Sequence, residues 1–211
     1  MPKSTFFNLP QEKKERLLQA AKKEFSRVSL NEASINRIIT DAEIPRGSFY
    51  MYFEDKKDLF YLVVHEYSEL ISKKVVELLE RENGDIFVTC IDFFDTTITY
   101  AKVSRDNLET ARQLFANMRV VSDSKNEVVL HELFKLSNEQ RQRILQQFNT
   151  SCFKYKDHDS MLDLQRLLGF TTRTAIQNAL SNMDNIENVR NRFINTLNMI
   201  QFGAIDRNYI D

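Results

Sequence analysis

The sequence predicts an all-α protein of about nine or ten helices, and three observations support this prediction. Helix breakers are scarce, since the 211 residues include only four glycines and three prolines, and no proline follows Pro45. Apolar residues recur at intervals of three and four along most of the chain, as they do on one face of a helix. No stretch alternates apolar and polar residues for long enough to predict a strand.

The composition excludes two classes of protein. Hydrophobic residues make up 42% and charged residues 28%, which is typical of a folded core rather than of a disordered chain. No apolar run approaches the roughly 18 residues of a membrane span, and the first residues lack the pattern of a signal peptide. We therefore expect a cytoplasmic protein whose two cysteines, Cys90 and Cys152, are buried free thiols.

The net charge of −1 argues against a general polyanion binder. Residues 1–60 nevertheless carry 11 basic and 9 acidic side chains, and the remainder of the chain is acidic on balance. This mild asymmetry permits an N-terminal end that faces nucleic acid, but it does not establish one.

Three helices are predicted near the N-terminus. The first begins at Pro10, because proline suits a first helical position. Ser34 is a good N-cap for the second, and Pro45 starts the third. The apolar stripes of the first two helices are Leu17, Ala21 and Phe25, and Ile35, Ile38 and Ile39.

Seven further helices are predicted from the hydrophobic period and from turn signals such as Asn83-Gly84-Asp85. A long helix covers about 55–81, and a fifth covers about 87–101. The others lie near 108–118, 126–136, 138–155, 160–181 and 186–205.

The stretch 34–59 carries the strongest functional signal. Two short helices joined by a tight turn predict a helix-turn-helix. Phe49 is expected to face inward and to fix the second of these helices on its neighbours. Arg46, Gly47 and Ser48 leave a small, polar surface that can enter a major groove, and the free N–H groups of the helix start suit a phosphate oxygen.

This stretch resembles the TetR/AcrR family of bacterial transcriptional regulators. The run Gly-Ser-Phe-Tyr-Met-Tyr-Phe-Glu-Asp-Lys at 47–56 is similar to the family signature, and the resemblance covers about 55 residues. It also rests on Ala20, Ala21, Phe25, Ile35, Ile38, Ala42, Ile44 and Leu59. The resemblance implies a helix-turn-helix DNA-binding domain over residues 1–54 and a helical effector-binding and dimerisation domain over 55–211.

The resemblance also implies roles for individual residues. Base edges would be contacted by Arg46, Gly47 and Ser48. The DNA backbone would be contacted by Ser34, Asn36, Tyr50, Tyr52 and Lys56. Two alternatives stay open, since Tyr52 could cap the small core and Lys56 could belong to a solvated helix start.

The chain departs from the family at two positions. Glu43 stands in the turn where the family usually has glycine, and Ile39 stands where alanine is usual. A non-glycine residue in a left-handed turn costs on the order of 1 kcal/mol, and Ile39 needs extra room between helices. Either departure could tilt the second helix of the motif.

In the larger domain the resemblance implies an effector cavity and a dimer interface. For an apolar effector of unknown identity, the predicted lining is Phe87, Phe115, Met118, Phe134 and Phe148. For an interface built from the last two helices, the predicted residues are Leu164, Leu168, Thr171, Ala175, Val189, Phe193, Leu197 and Ile200. Ordinary core packing is the alternative for both sets.

Together these observations predict a homodimeric repressor that binds a near-palindromic operator and is released by a small hydrophobic effector. Its partners would be double-stranded operator DNA, a second copy of the chain and the effector. The alternative is a helical small-molecule or lipid-binding protein that has lost specific DNA binding. The three histidines lack zinc-type spacing, and no phosphate loop or nucleophile–base pair is recognisable, so no metal, cofactor or enzymatic activity is predicted.

Overall fold

The computed structural model describes residues 2–105, 108–109, 111–112 and 138–203. Within these ranges the chain is helical or irregular and contains no strand, which confirms the predicted all-α fold. These residues form two compact units: the first holds 2–71 with 109, 111 and 112, and the second holds 72–105, 108 and 138–203. No helix in the described ranges combines the length and the apolar character needed to cross a bilayer.

Residues 2–71 of the first unit form four complete helices and the start of a fifth. They are α1 (Ser4–Phe7), α2 (Gln11–Arg27), α3 (Ile35–Asp41), α4 (Arg46–Tyr52) and α5 (Lys56–Arg81), the last of which continues into the second unit. Pro10 and Pro45 are the N-caps of α2 and α4, so both helices start one residue later than predicted. Helix α1 is too short to show a hydrophobic period, and the sequence did not predict it.

Aromatic rings form the centre of the first unit. The side chains of Phe49 and Phe53 are fully buried, and their ring centroids lie 5.4 Å apart. Phe25 and Phe60 meet edge to face at 5.1 Å. Phe49 thus faces inward as predicted, and burial of a side chain of this size stabilises a fold by roughly 1.5–3 kcal/mol.

The second unit takes its core from three long helices. Its elements after the end of α5 are α6 (Ile86–Val103), α7 (Asn138–Gln146), α8 (His158–Ser181), a 3-10 turn (Met183–Asn185) and α9 (Ile186–Phe202). Helix α8 packs against both α6 and α9. The rings of Phe94 and Phe193 join α6 to α9 with their centroids 5.4 Å apart.

The predicted helix over 138–155 is wrong in its second half, because α7 ends at Gln146. The Oδ1 atom of Asn149 accepts hydrogen bonds from the N–H and the hydroxyl of Ser151, at 3.1 and 2.6 Å. Such side-chain bonds give the backbone an alternative to the helical pattern. The predicted helices over 108–118 and 126–136 lie almost wholly outside the described residues.

Gly84 ends the turn after α5, as the stop signal predicted, and its backbone is left-handed with φ 80°. Its carbonyl accepts a hydrogen bond of 3.0 Å from the N–H of Asn149. A Cβ at this position would lie 2.5 Å from both the nitrogen of Asn149 and the carbonyl oxygen of Gln147. Glycine is therefore required here by the backbone angle and by the close approach of the 147–149 segment.

The two cysteines differ in environment. Cys90 is buried on α6, as predicted, and Cys152 is exposed, so the prediction of a second buried thiol is wrong. Cys152 lies beyond the end of α7, in the segment that was expected to be helical. Burial raises the pKa of the Cys90 thiol to about 11.

We predict that a thiol reagent added to the native protein at pH 8 labels Cys152 within minutes and leaves Cys90 unlabelled. The cause is twofold, since Cys90 is inaccessible and its raised pKa leaves almost no thiolate at that pH. Mass spectrometry of tryptic peptides measures the two sites separately. Labelling in denaturant provides the control, because both sites then react; equal rates at the two sites in the native protein would contradict the assignment.

Candidate nucleic-acid interface

Helix α4 presents a small polar surface at its start and an aromatic anchor beneath it. Arg46 and Gly47 are exposed and Ser48 is half-buried, whereas Phe49 is fully buried. An ideal Cβ at Gly47 would have no atom within 4 Å among the residues that the structure describes, so none of these covers the surface. The short helix is thus fixed from below while its N-terminal residues remain open to a partner.

A shallow groove beside α4 brings together four of the residues predicted to contact DNA. It is lined by Ser34, Asn36, Arg46 and Lys56, and also by Ala33, Ile35, Asp55 and Lys57. Three of the lining side chains are cationic and one is anionic. The groove therefore has a net positive lining, which suits an anionic partner.

Arg46 and Asn36 contact each other directly. The Nη1 atom of Arg46 donates a hydrogen bond of 2.6 Å to Oδ1 of Asn36. The guanidinium also lies 6.0 Å from the centroid of the Tyr50 ring, at the outer limit of a cation–π contact. Two neighbours therefore orient the only charged side chain of α4.

The ammonium group of Lys56 binds carbonyl oxygens of the chain. It donates to the carbonyl oxygens of Asn31 at 2.6 Å and of Ala33 at 3.0 Å. Lys56 thus holds the loop before α3, a role that neither sequence-based interpretation included. An ammonium has three donors, and two of them are used in these bonds.

Ser34, Tyr50 and Tyr52 differ in their exposure and in their contacts. The hydroxyl of Ser34 accepts a 3.4 Å hydrogen bond from the N–H of Arg37, so Ser34 is the N-cap of α3 as predicted. Tyr50 is 41% exposed. Tyr52 is half-buried against the core of the first unit, where the alternative interpretation expected it.

The two departures from the family pattern are both accommodated. Glu43 has φ 55°, the left-handed conformation expected of the turn, and its carboxylate accepts a 3.0 Å hydrogen bond from Nη1 of Arg16 on α2. The N–H of Ile44 donates to the carbonyl of Ile39 at 3.0 Å, which closes the turn. Ile39 itself is packed in the core with 9% of its surface exposed.

Glu24 is a structural residue of this site that sequence reasoning missed. It is a buried carboxylate on α2, with 5% of its surface exposed. It accepts hydrogen bonds from the N–H of Ser34 at 2.8 Å and from Nη2 of Arg27 at 2.7 Å. Glu24 therefore holds the first residue of the helix-turn-helix from one side while Lys56 holds the same loop from the other.

Lys57 is a second residue that the predictions did not include. It is exposed in the same groove as Lys56. The pair Lys56-Lys57 at a helix start was a usable signal, because cations there oppose the helix dipole and need an anionic partner or another contact. The sequence alone could not tell which of the two lysines points inward.

The residues predicted for the effector pocket and for the dimer interface differ in their burial. Phe87 and Phe148 are buried in the second unit, while Phe115, Met118 and Phe134 lie outside the described residues. Four predicted interface residues are buried within the chain itself: Leu168, Ala175, Phe193 and Leu197. The other four are partly exposed: Leu164, Thr171, Val189 and Ile200.

Large apolar side chains are exposed on the same two helices. On α8 they are Leu167 and Phe170, exposed by 48% and 60%. On α9 they are Met199 and Phe202, exposed by 50% and 67%. These four side chains leave apolar surface exposed on α8 and α9, and the ring of Phe170 lies 5.6 Å from the guanidinium of Arg173.

Residues 17–62 match the sequence profile of the family described as bacterial regulatory proteins, tetR family. An uncharacterized HTH-type transcriptional regulator of Bacillus subtilis (strain 168), YdgC, is 34% identical over 73 residues, which are 35% of this chain and 37% of YdgC. The matched segment therefore spans little more than a third of that relative.

The fold is also similar to that of a solved protein. The crystal structure of a TetR transcriptional regulator from Rhodococcus sp. RHA1 aligns with a TM-score of 0.57 at 16% identity. The alignment covers 92% of this chain and 98% of the other. At this identity the likeness concerns the fold alone.

We predict that Glu24→Gln lowers the free energy of unfolding by about 1–3 kcal/mol, because a neutral amide replaces a buried carboxylate that accepts two hydrogen bonds. Urea unfolding followed by circular dichroism measures the change. Glu12→Gln, on the exposed side of the same helix, is the matched control and should change stability by less than about 0.5 kcal/mol. Equal effects of the two substitutions would show that Glu24 has no special structural role.

Proposed function

The chain belongs, through its helix-turn-helix domain, to the TetR family of bacterial regulatory proteins, and on that premise we propose that it is a homodimeric repressor of transcription. It binds a near-palindromic operator through α3 and α4. A small hydrophobic effector releases it from the DNA. The observation that carries this proposal is the open surface around Gly47 on a helix anchored by Phe49.

The fold does not require glycine at position 47, which supports the proposal that a partner approaches the backbone closely there. Within the described part of the chain nothing lies within 4 Å of the position its Cβ would occupy, and its φ is not left-handed, so alanine would fit. Glycine in an exposed helix is less stable than alanine by roughly 0.5–1 kcal/mol. A glycine that the fold does not need is explained if another molecule packs against this backbone.

Arg46 is the residue that we propose to read a base. It is the only charged side chain on α4, and an arginine can make a bidentate contact with the O6 and N7 atoms of guanine. Asn36, Lys57 and the start of α3 would contact flanking phosphates. In the free protein Asn36 already holds the guanidinium of Arg46, so the side chain has less freedom to lose on binding.

A selection of binding sites from sheared genomic DNA tests the proposal directly. We expect enrichment of one near-palindromic sequence, with an affinity that falls as salt rises because phosphate contacts release counterions. Retention of an apolar ligand by a protein without any preferred DNA would favour the alternative function as a small-molecule or lipid-binding protein. Three features supported that alternative: Glu43, Ile39 and the low net charge. Glu43 and Ile39 are accommodated in the fold, which favours the DNA-binding proposal, and the net charge of −1 remains.

We predict that Gly47→Ala leaves the fold as stable as before, or stabilises it by up to about 1 kcal/mol, and lowers operator affinity by about tenfold or more through loss of a base-proximal contact. Fluorescence anisotropy with operator DNA and thermal unfolding measure the two effects. Thr96→Ala is the control, since Thr96 is an exposed helical position on α6 at which alanine also raises helix propensity, outside both α4 and the proposed dimer surface. An unchanged operator affinity in Gly47→Ala would remove the main support for this surface.

The exposed apolar side chains of α8 and α9 support dimerisation. A single seven-residue helix makes too few contacts for tight specific binding, and a two-fold dimer reads two half-sites. We therefore assign the contact between protomers to the surface of Leu167, Phe170, Met199 and Phe202, together with the partly exposed positions of the predicted set. Leu168, Ala175, Phe193 and Leu197 stabilise the protomer instead.

We predict that Phe170→Asp converts the dimer into a folded monomer, because a carboxylate in an apolar interface is not solvated. Operator affinity should fall by about a hundredfold or more, since the avidity of two linked half-sites is lost. Analytical ultracentrifugation and anisotropy measure these changes. Tyr155→Asp, at a residue that is 63% exposed in the loop before α8, is the control and should remain dimeric; a dimeric Phe170→Asp would contradict this interface.

The effector is proposed to bind in the second unit. Phe87 and Phe148 provide buried aromatic surface there, and Phe87 also lies near Phe153 with ring centroids 6.3 Å apart. An apolar ligand suits such residues better than a charged one. Helix α5 contributes residues to both units. A ligand that binds more tightly to a conformation with another orientation of α5 would therefore lower the affinity of the first unit for DNA.

A further inference from the structure

The last turn of α4 receives its hydrogen bonds from a segment that precedes the family match. A helix leaves its last four carbonyl groups without partners inside the helix, and in α4 these belong to residues 49–52. The carbonyl of Phe49 accepts from the N–H of Phe53 at 2.9 Å. The remaining three carbonyls all accept from two residues, Lys3 and Thr5.

Each of these three bonds has a distinct donor. The ammonium of Lys3 donates to the carbonyl of Tyr50 at 2.8 Å, and the main-chain N–H of Lys3 donates to the carbonyl of Tyr52 at 2.8 Å. The hydroxyl of Thr5 donates to the carbonyl of Met51. The ammonium also places a positive charge at the negative end of the helix dipole.

The segment that carries these donors is itself fixed at its C-terminal end, on α1. Phe6, on α1, is 3% exposed, and its ring centroid lies 5.2 Å from that of Phe53. The ammonium of Lys14 on α2 donates to the carbonyl of Phe7 at 2.7 Å. Lys3 and Thr5 are therefore held against α4 by packing and by a second hydrogen-bonded contact.

From this geometry we propose that Lys3 and Thr5 are positioning residues for DNA recognition, which together form a clamp on the last turn of α4. This inference rests on the function proposed above. The clamp fixes the direction of the helix that presents Arg46, Gly47 and Ser48, without itself touching DNA. It lies outside residues 17–62, the part of the chain that matches the family.

The clamp matters because α4 is so short. Seven residues make less than two turns in all, and isolated helices of this length are not stable in water. Without the three bonds the last turn frays. Tyr50, which neighbours the guanidinium of Arg46, then loses its fixed position. A helix that samples several directions loses specific contacts, whereas contacts with any DNA backbone are less sensitive to direction.

Paired substitutions separate the clamp from general stability. Thr5→Val removes the hydroxyl and keeps the shape, whereas Thr5→Ser keeps the hydroxyl. Lys3→Met removes the ammonium, and Lys13→Met removes the same charge from an exposed site on α2. Amide hydrogen exchange is measured in the DNA-free protein, and affinity is measured for the selected operator and for random DNA.

We expect the amides of residues 51–53 to exchange roughly 3- to 30-fold faster in Thr5→Val and Lys3→Met, as on loss of other helix caps. Thr5→Ser and Lys13→Met should exchange as the wild type does, and the amides of α3 should not change in any variant. Operator affinity should fall by a similar factor in the two clamp variants, while affinity for random DNA stays the same. The slope of affinity against salt should stay unchanged in Lys3→Met.

Two results would overturn the clamp. One is wild-type exchange at residues 51–53 in Thr5→Val. The other is a salt slope reduced by about one in Lys3→Met, which would make Lys3 a phosphate contact. A wild-type protein without any preferred DNA would overturn the proposed function instead, and the exchange rates of the free protein would then still decide whether the clamp exists.

Discussion

The packing of Phe49 and Phe53 beneath α4 is the constraint on which the rest of the first unit depends. A seven-residue helix contributes little stability of its own, so its position must come from the core under it and from bonds at its ends. The two rings are fully buried and in contact. This anchor turns one side of α4 inward, and the opposite side, with Arg46 and Gly47, is exposed as a consequence.

Charged residues around the helix-turn-helix act mainly on the chain itself. Glu24 and Lys56 bind backbone groups of the loop before α3 from two sides. Arg46 binds Asn36 across the groove. A surface that recognises an anion must be rigid before it binds, because each side chain that is ordered only on binding reduces the affinity. These ion–dipole contacts supply that rigidity.

Sequence reasoning was most successful where hydrophobic period and capping chemistry act locally. The bounds of α5 and the N-cap at Ser34 follow from short-range rules, and the inward side of Phe49 follows from the contrast between its ring and the small or polar residues 46–48. It failed where a long-range contact decides. The target of Lys56 and the burial of Leu168 within the chain depend on elements distant in sequence, and the segment after α7 is bound to the carbonyl of Gly84 through the N–H of Asn149.

The left-handed conformation of Glu43 affects how this helix-turn-helix can be transferred to another protein. Glycine would form this turn without help, but Glu43 forms it at a conformational cost and is paired with Arg16 of α2. Residues 35–52 are therefore not a self-sufficient cassette. A graft of this recognition motif onto another scaffold gains from replacing Glu43 by glycine, because the Arg16–Glu43 pair is exposed and offsets only part of the conformational cost.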